Sequence, residues 1–257
     1  MPSTRSSSRM RVPTRNWVMS DFPAMSSASR HAYLQALGIQ QWVQRDADRT
    51  DAGTVETEKF PVRPISWETL EAAVSVCTKC ELHTSRTQTV FGTGNRQADW
   101  MIIGEAPGAD EDRQGEPFVG RAGLLLNEML LAAGYARDEV YIANILKCRP
   151  PSNRDPSADE MTCCEPWLQQ QIALIQPKLI LAVGRIAAHG LLQTTTPVGR
   201  LRGRVHRYGD EEIPLIVTYH PAYLLRNPEK KREVWEDMKM LMQAMGMPLP
   251  DNQKRRT

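Results

Sequence analysis

Four short apolar runs, Trp100 to Ile103, Val140 to Ile145, Lys178 to Val183 and Pro214 to Thr218, begin 40, 38 and 36 residues apart. Between them lie stretches with helical character: Ala122 to Ala133, closed by Gly134; Ala158 to Ile175, entered after Pro156 and Ser157; and Ile186 to Leu192. Uninterrupted apolar strands alternating with helices predict a parallel sheet covered on both faces. The expected fold is therefore α/β, a three-layer sandwich with a central four-stranded parallel sheet flanked by helices, closed by a last amphipathic helix from Lys231 to Met245. Each run leads into a conspicuous polar or glycine-rich loop: Gly104 to Gly108, Asn144, Gly184-Arg185 and His220-Pro221. In open α/β sheets the ligand crevice lies at the carboxyl ends of the strands, so three of these four loops are expected to meet at one pocket.

The flanks read differently. The first thirty residues carry eight Ser and five Arg against one acid, Asp21, without strand or helix periodicity, which predicts a disordered tail over 1–29. The same composition suits an organellar transit peptide or an upstream start, since Met10, Met19 and Met25 are alternative first residues. Within 30–60, Tyr33, Leu34, Leu37 and Trp42 then fit a short amphipathic helix over 30–43, expected to dock on the main body or on a protein partner, followed by an acid-rich linker over 46–58. Residues 246–257 read as a C-terminal tail. No apolar run approaches the roughly 20 residues a bilayer-crossing helix needs, so no membrane partner is expected. A formal charge of +2 means that any nucleic-acid surface must be a local patch.

Five cysteines without a secretory leader argue against a disulfide framework and for intracellular thiols used as metal ligands. Cys77 and Cys80 form a C-x-x-C pair, Cys148 follows a strand 68 residues after Cys80, and Cys164 comes 16 later. Four thiolates from separate segments suit zinc or an iron–sulfur cluster, and spacing alone does not choose between them. Cys163, next to Cys164, is not readily a second ligand from the same turn.

Three blocks, GEAPGADEDRQGEPFVGRAGLLL (104–126), YIANILKCRPPSNRDPSADEMTCCEPWL (141–168) and TYHPAYLLRNP (218–228), resemble the family 4 uracil-DNA glycosylases in order and separation. The resemblance spans about Trp67 to Met245, taken here as the glycosylase-like domain over 67–245. It implies a bacterial, cytoplasmic, monomeric DNA-repair enzyme that hydrolyses the N-glycosidic bond of deoxyuridine in single- or double-stranded DNA and leaves an abasic site. It also implies a 4Fe-4S cluster on Cys77, Cys80, Cys148 and Cys164, with a structural role and with Cys163 spare.

The same resemblance distributes the chemistry. His220 is expected near uracil O2, donating a hydrogen bond to the departing anion. Asn144, with one acceptor and two donors, suits uracil N3 and O4 and mismatches cytosine. Phe118 is expected to stack on the flipped base, and the loop holding Ala106 and Pro107 to lie against it. The best-known uracil glycosylases have an aspartate and a tyrosine where this chain has Ala106 and Gly108, so Glu105 is the nearest carboxylate for orienting water, with Asn153 as a second candidate. No side chain stands out for rejecting thymine.

Arg200, Arg202 and Arg204 lie in an acid-free run suited to phosphate contacts. Leu224 or Leu225 is expected to fill the space left by the flipped nucleotide, and Arg226 to contact phosphate. Two other readings stay open: a catalytically weak or silent DNA-binding member of the superfamily acting with a repair or replication partner, and a redox iron–sulfur protein. A relative that bonds covalently to its DNA uses a histidine in an inserted loop, and no histidine lies between Cys148 and Cys164.

Overall fold

The strand-forming runs assemble as one six-stranded sheet in a computed structural model that describes residues 65–249. The order is β1-β3-β2-β4-β6-β5, with β1 Thr93–Gly94, β2 Trp100–Gly104, β3 Tyr141–Asn144, β4 Leu179–Val183, β5 Val205–Tyr208 and β6 Ile213–Thr218. β3, β2, β4 and β6 run parallel, as the spacing of the apolar runs predicts. The sheet is wider than expected, because β1 and β5 pair antiparallel at its two edges. Strands β2, β3 and β4 are buried at every position, which explains their unbroken apolar sequence.

The helices are α1 Trp67–Ser75, α2 Ala109–Gln114, α3 Arg121–Ala132, α4 Ala158–Ile175, α5 Arg185–Leu192, α6 Val198–Leu201, α7 Pro221–Arg226 and α8 Lys231–Ala244. One apolar layer packs Leu168, Ile172, Ala187 and Ala188 on Met101, Ile103 and Ile180; the other packs Leu126, Leu130, Met238 and Leu241 on Trp100, Ile102 and Leu181. Packing continues past α8, where the Tyr135 hydroxyl donates to the Met247 sulfur at 2.8 Å. The expected segments 1–29 and 30–60, and the end of the C-terminal tail, lie outside the described residues. Among the described residues no helix is long and apolar enough to cross a membrane.

The connection after β2 leads to β3 on one side and that after β4 leads to β6 on the other. The reversal between β2 and β4 is the switch point at which an open α/β sheet holds its ligand.

Candidate active site and cysteine basin

The segments that leave β2, β3, β4 and β6 border one cleft of about 750 Å³ at that switch point. Glu105, Ala106, Pro107, Phe118, Asn144, Asn153, His220 and Arg226 all line it.

Asn144 ends β3 at 2% exposure, and its side-chain oxygen is buried without a hydrogen-bond partner. Such an acceptor is costly unless a ligand supplies the donor. Gly104, paired with it across the β2–β3 ladder, has to be glycine: a β-carbon there would sit 2.5 Å from that oxygen and 2.6 Å from Phe118 Cζ. Phe118 holds a left-handed backbone, φ 53°, and its carbonyl lies so close over Gly123 that no side chain fits there. A strained residue pinned by glycines on two sides is backbone arranged for a site rather than for stability.

His220 ends the segment after β6 and caps α7, where its Nδ1 accepts the Ala222 N–H at 3.1 Å. That bond assigns the ring proton to Nε2, so the neutral imidazole is a donor. Burial, reinforced by the Arg226 charge and opposed by Glu111, lowers its pKa to about 4. The imidazole stacks on Phe118 with centroids 5.5 Å apart.

Glu105 is half-buried, and burial together with the nearby Asp155 charge raises its pKa while Arg185 lowers it. Arg185 and Asp155 pair at 2.6 Å on the same rim. Asn153 is exposed, with φ 54°, and its side-chain oxygen accepts from Arg149 Nε at 2.7 Å. That acceptor is thereby engaged within the loop.

Glu111 was not singled out by the sequence. Its carboxylate accepts the Gly108 N–H at 3.1 Å and the Val119 and Gly120 N–H groups at 3.0 Å each, tying the Glu105 loop to the Phe118 loop. A glutamate three residues after the glycine that opens α2 carries the spacing of a capping box, which was the available signal.

Two expectations for the DNA-facing side need correction. Arg202 does not reach outward: its side chain is 13% exposed, and it pairs with Asp237 and Glu233 at 2.9 Å each. Leu224 is buried in the core and cannot serve as a wedge, whereas Leu225 is exposed one residue later on α7. Arg200, Arg204 and Arg226 are exposed.

The cysteines gather in a separate place. Cys77, Cys80, Cys148 and Cys164, with Cys163, line one small cavity between the segment after α1, the exit of β3 and the start of α4. A Ser157–Glu160 capping box starts α4 and so sets the position of Cys164. Lys79 lies 4.2 Å over the Trp167 ring, fastening the C-x-x-C loop to the same helix. Among the described residues, no three His, Cys, Asp or Glu side chains form a single-ion site. Burial raises the pKa of Cys80 and Cys148 and takes Cys164 to about 11. Against this, Arg86 Nη1 donates to Cys148 Sγ at 3.0 Å and the Lys147 N–H to Cys164 Sγ at 3.2 Å.

Lys147, which the sequence did not flag, is fully buried. Its ammonium donates to the Asn144 carbonyl at 2.9 Å and to Gln171 Oε1 at 2.6 Å, both neutral groups. A buried cation without a carboxylate partner needs compensating charge nearby. An anionic group on the adjacent thiolates would supply it.

The sequence pattern of the Uracil DNA glycosylase superfamily matches residues 91–239. The Type-4 uracil-DNA glycosylase of Archaeoglobus fulgidus is 43% identical over 182 residues, which covers 68% of this chain and 90% of the relative. The Type-4 uracil-DNA glycosylases of Sulfurisphaera tokodaii and Thermotoga maritima are each 42% identical, covering 71% and 66% of this chain and 86% and 90% of theirs. On the shared pattern and on this likeness along most of the fold, the chain belongs to the uracil DNA glycosylase superfamily, among its Type-4 members.

Proposed function

We propose that the protein excises uracil from DNA, hydrolysing the bond between uracil N1 and deoxyribose C1′ to leave an abasic site. One observation carries this: the Asn144 acceptor, buried and unpartnered, beside an aromatic face and a neutral imidazole donor in one cleft. That set matches a pyrimidine offering an N–H at position 3, a flat face and an O2 that gains charge as the bond breaks.

The extruded base stacks on Phe118. Asn144 accepts from N3–H through its oxygen and donates to O4 through its amide, a pattern that cytosine reverses. As the C1′–N1 bond breaks, the electron pair moves onto uracil and is met at O2 by His220 Nε2–H. A donor that is already neutral and fixed by Ala222 needs no reorganisation. Glu105, with its affinity for protons raised by burial, orients the water that adds to C1′ and takes its proton. Arg200, Arg204 and Arg226 contact phosphates, and Leu225 occupies the gap left by the base.

Cys77, Cys80, Cys148 and Cys164 would hold a 4Fe-4S cluster, whose anionic charge would balance Lys147 and Arg86. Held by those residues, a cluster would cross-link the C-x-x-C loop to the segment ending at Cys148 and to α4; the hydrolysis transfers no electron.

The test is conversion of a uracil-containing single-stranded oligonucleotide to an alkali-cleavable product. Wild type is expected to produce it and His220→Ala to lose most of the rate. DNA binding without product would favour a silent member of the superfamily.

A further inference from the structure

Two aromatic rings in the cleft take no part in the chemistry above. Tyr219 and Tyr223 stack with centroids 5.0 Å apart and planes 30° apart, both half-buried and both bordering the cleft that holds His220. The Arg202 guanidinium lies over the Tyr219 ring, 5.2 Å from its centroid, and is itself fixed by Asp237 and Glu233. The Tyr219 ring therefore contacts both a fixed cation and the Tyr223 ring. Tyr223 lies on α7, three residues before the exposed Arg226.

Both rings also rest against the apolar layer below the cleft, but their mutual geometry differs from that of the aromatic pairs elsewhere. Away from the cleft, Trp67–Phe91 and Trp100–Tyr135 meet edge to face, at 82° and 68°, and Trp67–Tyr141 is tilted at 45°. The two pairs in the cleft, Phe118–His220 at 27° and Tyr219–Tyr223 at 30°, are nearly parallel. A flat, backed ring beside a basic side chain is the arrangement that holds bases of unpaired nucleic acid.

We propose that Tyr223, backed by Tyr219, stacks on the nucleobase adjacent to the extruded uracil when that neighbour is unpaired. The inference rests on reading the cleft as a uracil-DNA site. An unpaired strand is then gripped by two stacked bases, one on Phe118 and one on Tyr223. In duplex DNA the neighbour is already stacked and paired, so the platform contributes little there.

The experiment compares kcat/KM on three single-stranded oligonucleotides: one with normal thymidines flanking the uracil, and two in which the 5′ or the 3′ neighbour is replaced by a tetrahydrofuran abasic residue. All phosphates are retained. Wild type is expected to lose about tenfold when the base on one particular side is removed, the size of one base–aromatic stack. In Tyr223→Ala the same removal should change the rate less than twofold, and Tyr223→Phe should restore the loss. The comparison is a ratio within each variant, so general damage to the neighbouring His220 cancels. In a U:G duplex the wild-type to Tyr223→Ala ratio should be smaller than on the single strand. A full neighbour effect retained in Tyr223→Ala, or no neighbour effect in wild type on either side, overturns the stacking subsite alone. Absence of product from every substrate with wild type would instead remove the uracil reading on which it stands.

Discussion

The imidazole of His220 lies nearly parallel to the phenyl ring of Phe118, with 5.5 Å between centroids and 27° between planes. The two residues come from loops about a hundred positions apart, and each is immobilised separately. His220 is tied through Nδ1 to Ala222, and Phe118 is confined by Gly104 and Gly123. A donor and a stacking face fixed this way cost no rearrangement when a base arrives.

His220 should be neutral well below neutral pH. Its folded pKa of about 4, against an ordinary 6.5, arises first from burial and then from the Arg226 charge. The unfolded chain binds this proton from 6.5 downward and the folded one does not, so the associated stability is complete above 6.5 and is lost as pH falls toward about 4. Nitrogen-15 NMR of the ring is expected to show an Nε2–H tautomer titrating near the lower value. A midpoint at the ordinary histidine value would contradict the assignment.

Gly104→Ala should cut kcat by about a hundredfold or more, since its methyl would push both the Asn144 oxygen and the Phe118 ring from position and misplacement by about 1 Å has effects of that order. Overpacking of this kind costs about 1–3 kcal/mol of stability. The folded variant is therefore expected to bind DNA and fail at turnover. Wild-type kcat would show that the close approach is unimportant.

The three arginines of the basic run should separate. Arg202→Ala leaves the buried Asp237 unpaired and is expected to cost about 3–5 kcal/mol of stability in denaturant titration. Arg200→Ala and Arg204→Ala should leave stability unchanged while each lowers the slope of log affinity against log salt by about one. An equal effect of all three on the salt slope would mean that Arg202 also faces DNA.

Anaerobically prepared protein is expected to carry about four iron and four sulfide per chain. Cys164→Ser should lose iron and melt at lower temperature, and Cys163→Ser should keep its iron. Stoichiometric zinc in place of iron, or the reverse behaviour of the two variants, would contradict the ligand set.

Much of this was legible in the chain. The four parallel strands announce themselves because strands buried on both faces are unbroken apolar runs, and their following loops mark the crevice. The edge strands do not: β1 has two residues, and β5, Val-His-Arg-Tyr, alternates exposed and half-buried positions and reads as part of a basic run. The inward turn of Arg202, and the choice between Leu224 and Leu225, are hidden for a related reason. Their neighbours share their chemistry, and only the packing of α8 and α7 decides which side chain turns inward. Glu111 was hidden among Asp110 and Asp112, where acids at a helix start read as a solvated face. Lys147 was hidden because burial of a lone cation makes sense only beside the thiols that the fold brings to it.

The most direct test of the central claim is single-turnover excision at saturating enzyme by Phe118→Ala, Asn144→Ala and His220→Ala, with DNA affinity measured for each. If these side chains close around one extruded uracil, all three should slow the chemical step by at least about tenfold, consistent with loss of a stack, a base-reading pair or a transition-state donor, while DNA affinity changes far less. Wild-type rates in any two of them would contradict it.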